Sequence, residues 1–319
     1  MLPLRLSPFS PTLQLHDPEN TILLWACFRS YIVLSRDIAA VVTVFAFLLP
    51  YVLSISDVKH GVHDYLRALS WAAFTVFWIF VLPSFVSSRS FLEVTLILVA
   101  IPLCLKLSWG AATATNATDA PLHRAVASIG GVYMIFFLTP AVGPIPSVEQ
   151  VIVEHVTSQT VFFLNQLGFT PAIEQGPNTY ASQIVFYPPS APPLVTHIEV
   201  ACTGIGSIAI ILGLGLATHP NRKQCVFLVG LSILVYVLNL LRNIFIAAAF
   251  GGQWLQISPE LVLTLTGYSD PRLVSFFIAD KVIGQTASLL VLCALLIPML
   301  RVIPAIKEPL DAAYAELGR

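Results

Sequence analysis

Hydrophobic residues come in long blocks along this chain, and polar positions are confined to the stretches between them. Crossing a bilayer as a helix takes roughly 20 predominantly apolar residues. Blocks of that kind run over about 38–55, 68–86, 91–111, 125–145, 203–217, 225–247 and 282–304. An eighth, about 21–35, is shorter and carries Arg29, so it reads either as a span or as a helix lying at the interface. One inter-block segment is long: residues 146–201, with no lysine or arginine. In it, "SVEQVIVEHVTSQTVFFLNQLGF" repeats apolar residues at helical spacing and predicts an amphipathic interfacial helix. "SQIVFY" and "LVTHIEVAC" alternate, are rich in β-branched residues, and predict two strands separated by "PPSAPP". The predicted fold class is an all-α polytopic membrane protein of about 8 transmembrane helices with a small extracytoplasmic α/β-hairpin cap. No period of 20–50 residues recurs, which excludes a repeat architecture.

Composition sharpens this picture. Of 319 residues, 56% are apolar and only 10% charged, against roughly 25% charged in a soluble domain. The chain lacks the polar surface to stay in water. A net charge of −1 with no basic tract gives no footing for nucleic acid. Lysine and arginine orient the spans. With eight spans and both termini cytoplasmic, the inside holds Arg5, Lys59, Arg67, Lys106, Arg124, Arg222, Lys223, Arg301, Lys307 and Arg319. The outside holds only Arg36, Arg89, Arg242, Arg272 and Lys281. Segment 146–201 is then extracytoplasmic. The expected organisation is N-terminal transmembrane helices over 1–124, a membrane domain over 125–304 and a cytoplasmic tail over 305–319.

Two of the outside cations sit at span edges, and so does one thiol. Five cysteines (Cys27, Cys104, Cys202, Cys225 and Cys293) lie far apart, without disulfide or zinc spacing. Four are inside apolar runs; Cys202, in "EVACTGIGSIAIILGL", stands where a strand is expected to hand over to a helix. A thiol near a helix N-terminus has its pKa lowered by the dipole, and Thr203 and Ser207 add hydroxyls. The alternative is a small hydrophobe that merely packs. Arg242 lies near the outer end of its run, with Asn239, Asn243 and Ile246 on the same face. A guanidinium there either snorkels or faces a polar cavity. Asp280 and Lys281 open the last span as an interface anchor, and Lys281, Gln285 and Ser288 continue inward at i, i+4, i+7. A thiol and two cations at one depth, on three spans, suit a cysteine nucleophile with donors for the oxyanion it creates. His197 falls on the opposite face of the predicted strand from Cys202, so it and Glu199 read as structural.

On "ACTGIGS" around Cys202, "LNLLRN" around Arg242 and "IADKVIGQ" around Lys281, the chain resembles the exosortase/archaeosortase membrane transpeptidases over roughly 125–304. The resemblance implies a cysteine protease or transpeptidase, sortase-like, that cleaves a C-terminal sorting signal from exported proteins. That signal is a short motif, a hydrophobic helix and a basic tail. On the archaeosortase side of the family the motif is Pro-Gly-Phe-like, and the processed protein is joined to a membrane lipid. It implies Cys202 as nucleophile and Arg242 as stabilising cation. The third family position is usually histidine or arginine; here it is Lys281, which keeps a charge but loses the planar fork. Asn239, Asn243, Gln285 and Ser207 are the candidate substrate-binding groups. No metal and no organic cofactor are expected. Two other readings stay open: an anion transporter or channel using Arg242 and Lys281, and an intramembrane cysteine protease with water as acceptor.

Overall fold

A computed structural model describes residues 39–49, 60–113, 120–137, 148–175 and 182–318. The eighth hydrophobic block, 21–35, lies outside the described residues. The N-terminal part is three helices, α1 (Ala39–Leu49), α2 (His60–Ser87) and α3 (Phe91–Thr113). A tight turn at 88–90, with Arg89 at a φ of 57°, folds α3 back on α2. Phe47, Trp71, Cys104 and Leu107 form the core here. Hydroxyls tie the helices together: Ser70 donates to the Ala46 carbonyl at 2.6 Å, and Ser108 to the Ala68 carbonyl at 2.8 Å. In hydrocarbon a hydroxyl has no water to turn to, so a neighbouring carbonyl satisfies it and links the helices at once.

The second part is built on α7 (Arg222–Gly251). Asn221 and Gln224 close its first turn as a reciprocal capping box. The Gln224 amide also donates to the Val302 carbonyl at 2.9 Å, pinning the end of α10 (Gln285–Val302). Along α7 lie α6 (Ile205–Leu216) and α10, joined through Ile211, Leu228, Val235 and Met299. α4 (Ala120–Phe137) packs on α6, and α11 (Lys307–Gly318) returns across α4 and α3. The last span is one helical rod, Leu273–Val302, rather than a helix beginning at 282. Its parts are α9 (Leu273–Phe277), a π-helical stretch (Ile278–Gly284) and α10. Before it comes the short helix α8 (Pro259–Thr266).

Among the described residues four helices are long and apolar enough to cross a bilayer: those beginning at Val62, Phe91, Arg222 and Leu273. The blocks at 38–55 and 203–217 give shorter helices. At 12 residues, α6 rises about 18 Å, less than the ~30 Å hydrocarbon core. The protein is a mostly helical, multi-pass membrane protein.

Segment 146–201 forms α5 (Val148–Gln166) and an antiparallel sheet in the order β1 (Ala172–Gln175), β2 (Ser182–Phe186), β3 (Leu194–His197). β2 and β3 fall within the two predicted strands, with Phe186 opposite Leu194; β1 had no counterpart in the sequence pattern. The inner face of α5 (Val156, Val161, Leu164) packs with Ile184, Phe186 and Leu194 of the sheet and with Ile244, Ala247 and Phe250 of α7. Tyr236 donates to Gln159 at 2.6 Å. The apolar stripe of α5 thus binds α7 and the sheet, and this end of α7 is where the candidate residues gather.

Candidate active site

Cys202 sits neither on a strand nor inside α6. β3 stops at His197, and Val200–Thr203 winds into one 3₁₀ turn, held by the Cys202 N–H donating to the Glu199 carbonyl (2.8 Å) and by Thr203 Oγ1 donating to the Val200 carbonyl (2.6 Å). Gly204 then takes a φ of +83° and caps α6. An L-residue there would be strained, and its Cβ would lie 3.1 Å from the Asn239 side chain. The closeness is used: Asn239 Nδ2 donates to the Cys202 carbonyl at 2.6 Å, and Asn243 Nδ2 donates to the same oxygen at 2.8 Å. One turn of α7 therefore grips the peptide that carries the thiol. Both amides expected to contact substrate are engaged with the Cys202 carbonyl instead. Ser207 stands in the first turn of α6, where Gly206 has open space beside it.

The thiol is partly buried, and its pKa is raised, against the expected lowering. Desolvation is the main cause, the Arg242 charge opposes it, and the Asp280 and Glu199 charges add to it. The helix-dipole argument fails because Cys202 stands two residues ahead of the α6 cap, in its own turn.

Arg242 and Lys281 do converge, through a residue read from sequence as a mere anchor. Asp280 Oδ1 accepts from Arg242 Nη2 at 2.6 Å, and Asp280 Oδ2 is 3.1 Å from Lys281 Nζ. The cluster is well covered: side-chain exposure is 9% for Asp280, 17% for Arg242 and 19% for Lys281. Two cations inside a bundle are costly unless paired, and Asp280 supplies the partner. Gly284 lets the rod approach, since a Cβ there would lie 2.9 Å from Arg242 Nε and 3.0 Å from the Ala279 carbonyl. Arg242 Nε is buried and has no hydrogen-bond partner among the described residues.

The expected polar seam is not continuous. Gln285 is buried, with its Oε1 unpartnered among the described residues, whereas Ser288 is exposed and bonds back to the Gly284 carbonyl. The π-helical stretch widens the turn ahead of Gln285, so α-helical spacing does not carry across it. His197 is exposed and pairs with Glu199 at 3.2 Å, which raises its pKa. No group of residues that could hold a metal ion occurs among the described residues.

The arrangement offers a thiol on a clamped turn, a guanidinium with an unused N–H, and an ammonium tied to the same carboxylate. The family model of transmembrane exosortases matches residues 32–269, reaching well into the N-terminal helices. The chain is 34% identical to archaeosortase A of Haloferax volcanii over 261 residues, 78% of this chain and 84% of that one. It is 31% identical to archaeosortase A of Natronomonas pharaonis over 261 residues, 79% and 80% of the two chains. No solved structure matches. Sequence motifs at Cys202 and Arg242, a multi-pass helical bundle and relatives of similar length agree: this chain belongs to the transmembrane exosortase family.

Proposed function

We propose that this protein is a membrane cysteine transpeptidase. It cleaves a C-terminal sorting signal from exported proteins and passes the processed chain to a membrane lipid. The observation that carries the reading is the grip of α7 on the Cys202 turn, with Arg242 on the same helix between the two gripping asparagines. Two amides on one backbone oxygen fix where the thiol stands relative to Arg242. An anion bound at Arg242 and Lys281 would have to compete with Asp280, which pairs with both.

In this reading the substrate's hydrophobic helix lies against the bundle, with its Pro-Gly-Phe-like motif at the extracytoplasmic rim. The α5–sheet unit caps that rim and shields the intermediate from water. The Cys202 thiolate, formed by loss of its proton to solvent at the rim, adds to the scissile carbonyl. Arg242 donates to the oxyanion. As the C–N bond breaks, Lys281 gives a proton to the leaving amine, and a thioester remains on Cys202. A hydroxyl or amine of a lipid headgroup then attacks the thioester and returns a proton to Lys281, restoring the thiolate. Asn239 and Asn243 hold the nucleophile; Gln285 and Ser207 remain the polar groups for the substrate backbone.

The test is intact mass of a co-expressed exported domain ending in a Pro-Gly-Phe-type signal. Wild type should remove the C-terminal helix and add lipid mass, and Cys202→Ala should leave the precursor whole. Cleavage without added lipid would make the protein a protease with water as acceptor. Full processing by Cys202→Ala would overturn the reading.

A further inference from the structure

Sequence pattern singles out the thiol and the two cations, but the residue joining them is Asp280. From this geometry we infer that Asp280 is a positioning residue for the reaction: its carboxylate holds the Arg242 guanidinium through one terminal nitrogen, Nη2, and leaves the other, Nη1, to face the oxyanion. The inference rests on the transpeptidase reading and gives Arg242 a defined working edge.

Three observations support it. First, the bonds divide the carboxylate: Oδ1 takes Arg242 Nη2 at 2.6 Å and Oδ2 takes Lys281 Nζ at 3.1 Å. This charge-assisted bond anchors the guanidinium at Nη2 and limits how far its other donors swing. Second, Arg242 Nε is buried without a partner among the described residues. Sealed there, Nε marks the inner edge of the guanidinium, and a terminal nitrogen is what remains for a ligand atom. Third, Gly284 lets the rod close on Nε, where a Cβ would lie at 2.9 Å, so packing holds the guanidinium from its inner side.

The π-helical stretch Ile278–Gly284 explains how consecutive residues Asp280 and Lys281 serve this cluster. π-helical turns are uncommon and gather at functional sites. Here the rod meets α7 through Ala279, which is fully buried against Ile246 and Ala249. That close contact sets Asp280 opposite Arg242. Asp280 also tempers the charge: with it, two cations present a net single positive charge to the thiol. The groups acting on Cys202 are Arg242 from α7, Asp280 from the rod and Glu199 from its own turn.

This predicts effects of opposite sign for Asp280→Asn. Removing the carboxylate frees the guanidinium and removes a negative charge near the thiol. Processing of the co-expressed substrate should fall by about 100-fold, the cost of losing one aimed oxyanion donor. Iodoacetamide alkylation of Cys202 should become faster at fixed pH. It is read in protein whose other four cysteines are serine, and its pH profile should move toward acid. A merely structural Asp280 would loosen the bundle and expose the thiol. Faster alkylation therefore supports the inference where the variant keeps the wild-type thermal midpoint, and a lowered midpoint with faster alkylation overturns it. That outcome, an unchanged alkylation profile, or unchanged processing would each overturn the inference. Should Asp280→Asn fail to give monodisperse protein, Asp280→Asn/Lys281→Met is compared with Lys281→Met, since it strands one cation fewer. Faster alkylation in the double variant supports the inference, and equal rates overturn it. Failure of the transpeptidase reading looks different: wild type itself then leaves the substrate whole, and the alkylation comparison alone decides where Asp280 acts.

Discussion

The two asparagine bonds to the Cys202 carbonyl make a quantitative prediction. A net protein hydrogen bond is worth about 1 kcal/mol, and each amide delivers one to the same oxygen. Asn239→Ala or Asn243→Ala alone leaves the other donor in place. Each should slow single-turnover processing about fivefold. If the effects simply added, the double variant would lose about 30-fold. They should not add, because the double variant strands the carbonyl with no donor, raising the total to about 3 kcal/mol or roughly 150-fold. The assay is cleavage in detergent with each variant, in single turnover for the chemical rate and in steady state over a range of substrate concentrations for kcat and KM. Clamping the nucleophile acts on the chemical step, so kcat should fall with KM unchanged. A rise in KM with kcat preserved would refute the clamp and return both asparagines to substrate binding. A strictly additive double variant would equally refute the shared-acceptor argument.

Three further outcomes follow from the same geometry. Gly284→Ala should press on Arg242 Nε and the Ala279 carbonyl; overpacking should cost about 1–3 kcal/mol of stability, read as a lowered thermal midpoint together with slower processing, and wild-type stability and rate would contradict the close approach. Burial lifts the Cys202 pKa above its ordinary value, so the thiol is protonated at neutral pH and its thiolate fraction grows with pH. Alkylation of Cys202 should therefore rise about tenfold from pH 7 to pH 8, and a plateau in that interval would contradict the assignment. His197→Gln should leave processing within about twofold, because His197 faces solvent and pairs with Glu199; a large loss would contradict its structural reading.

Much of this was legible in the chain, and the rest was hidden for identifiable reasons. The edge position of Cys202 and the shared face of Asn239, Arg242 and Asn243 are local properties of an apolar run interrupted by polar residues, so periodicity finds them. That α5 binds α7, rather than lying free at the interface, depends on the sheet and α7 sharing its apolar face. Asp280 was readable only as a neighbour of Lys281. Its bond to Arg242 spans 38 positions and depends on how the rod packs against α7, which no local spacing encodes. The π-helical stretch is likewise set by tertiary fit, and it broke the inward polar stripe expected from α-helical counting. The thiol's pKa went the other way from expectation because the turn at Gly204 separates Cys202 from the helix whose dipole was invoked, leaving burial to dominate. The N-terminal block at 21–35 lies outside the described residues, so the total of spans rests on the sequence reading.

The central claim is a covalent thioester on Cys202, and the most direct measurement is to trap it. Wild-type protein is mixed with substrate, quenched in acid and digested, and the Cys202 peptide is weighed. The account predicts a Cys202 peptide carrying the substrate segment up to the cleavage site, removed by hydroxylamine and not formed in Cys202→Ser. Processing that proceeds with Cys202 unmodified at every time point, and persists in Cys202→Ser, would contradict it.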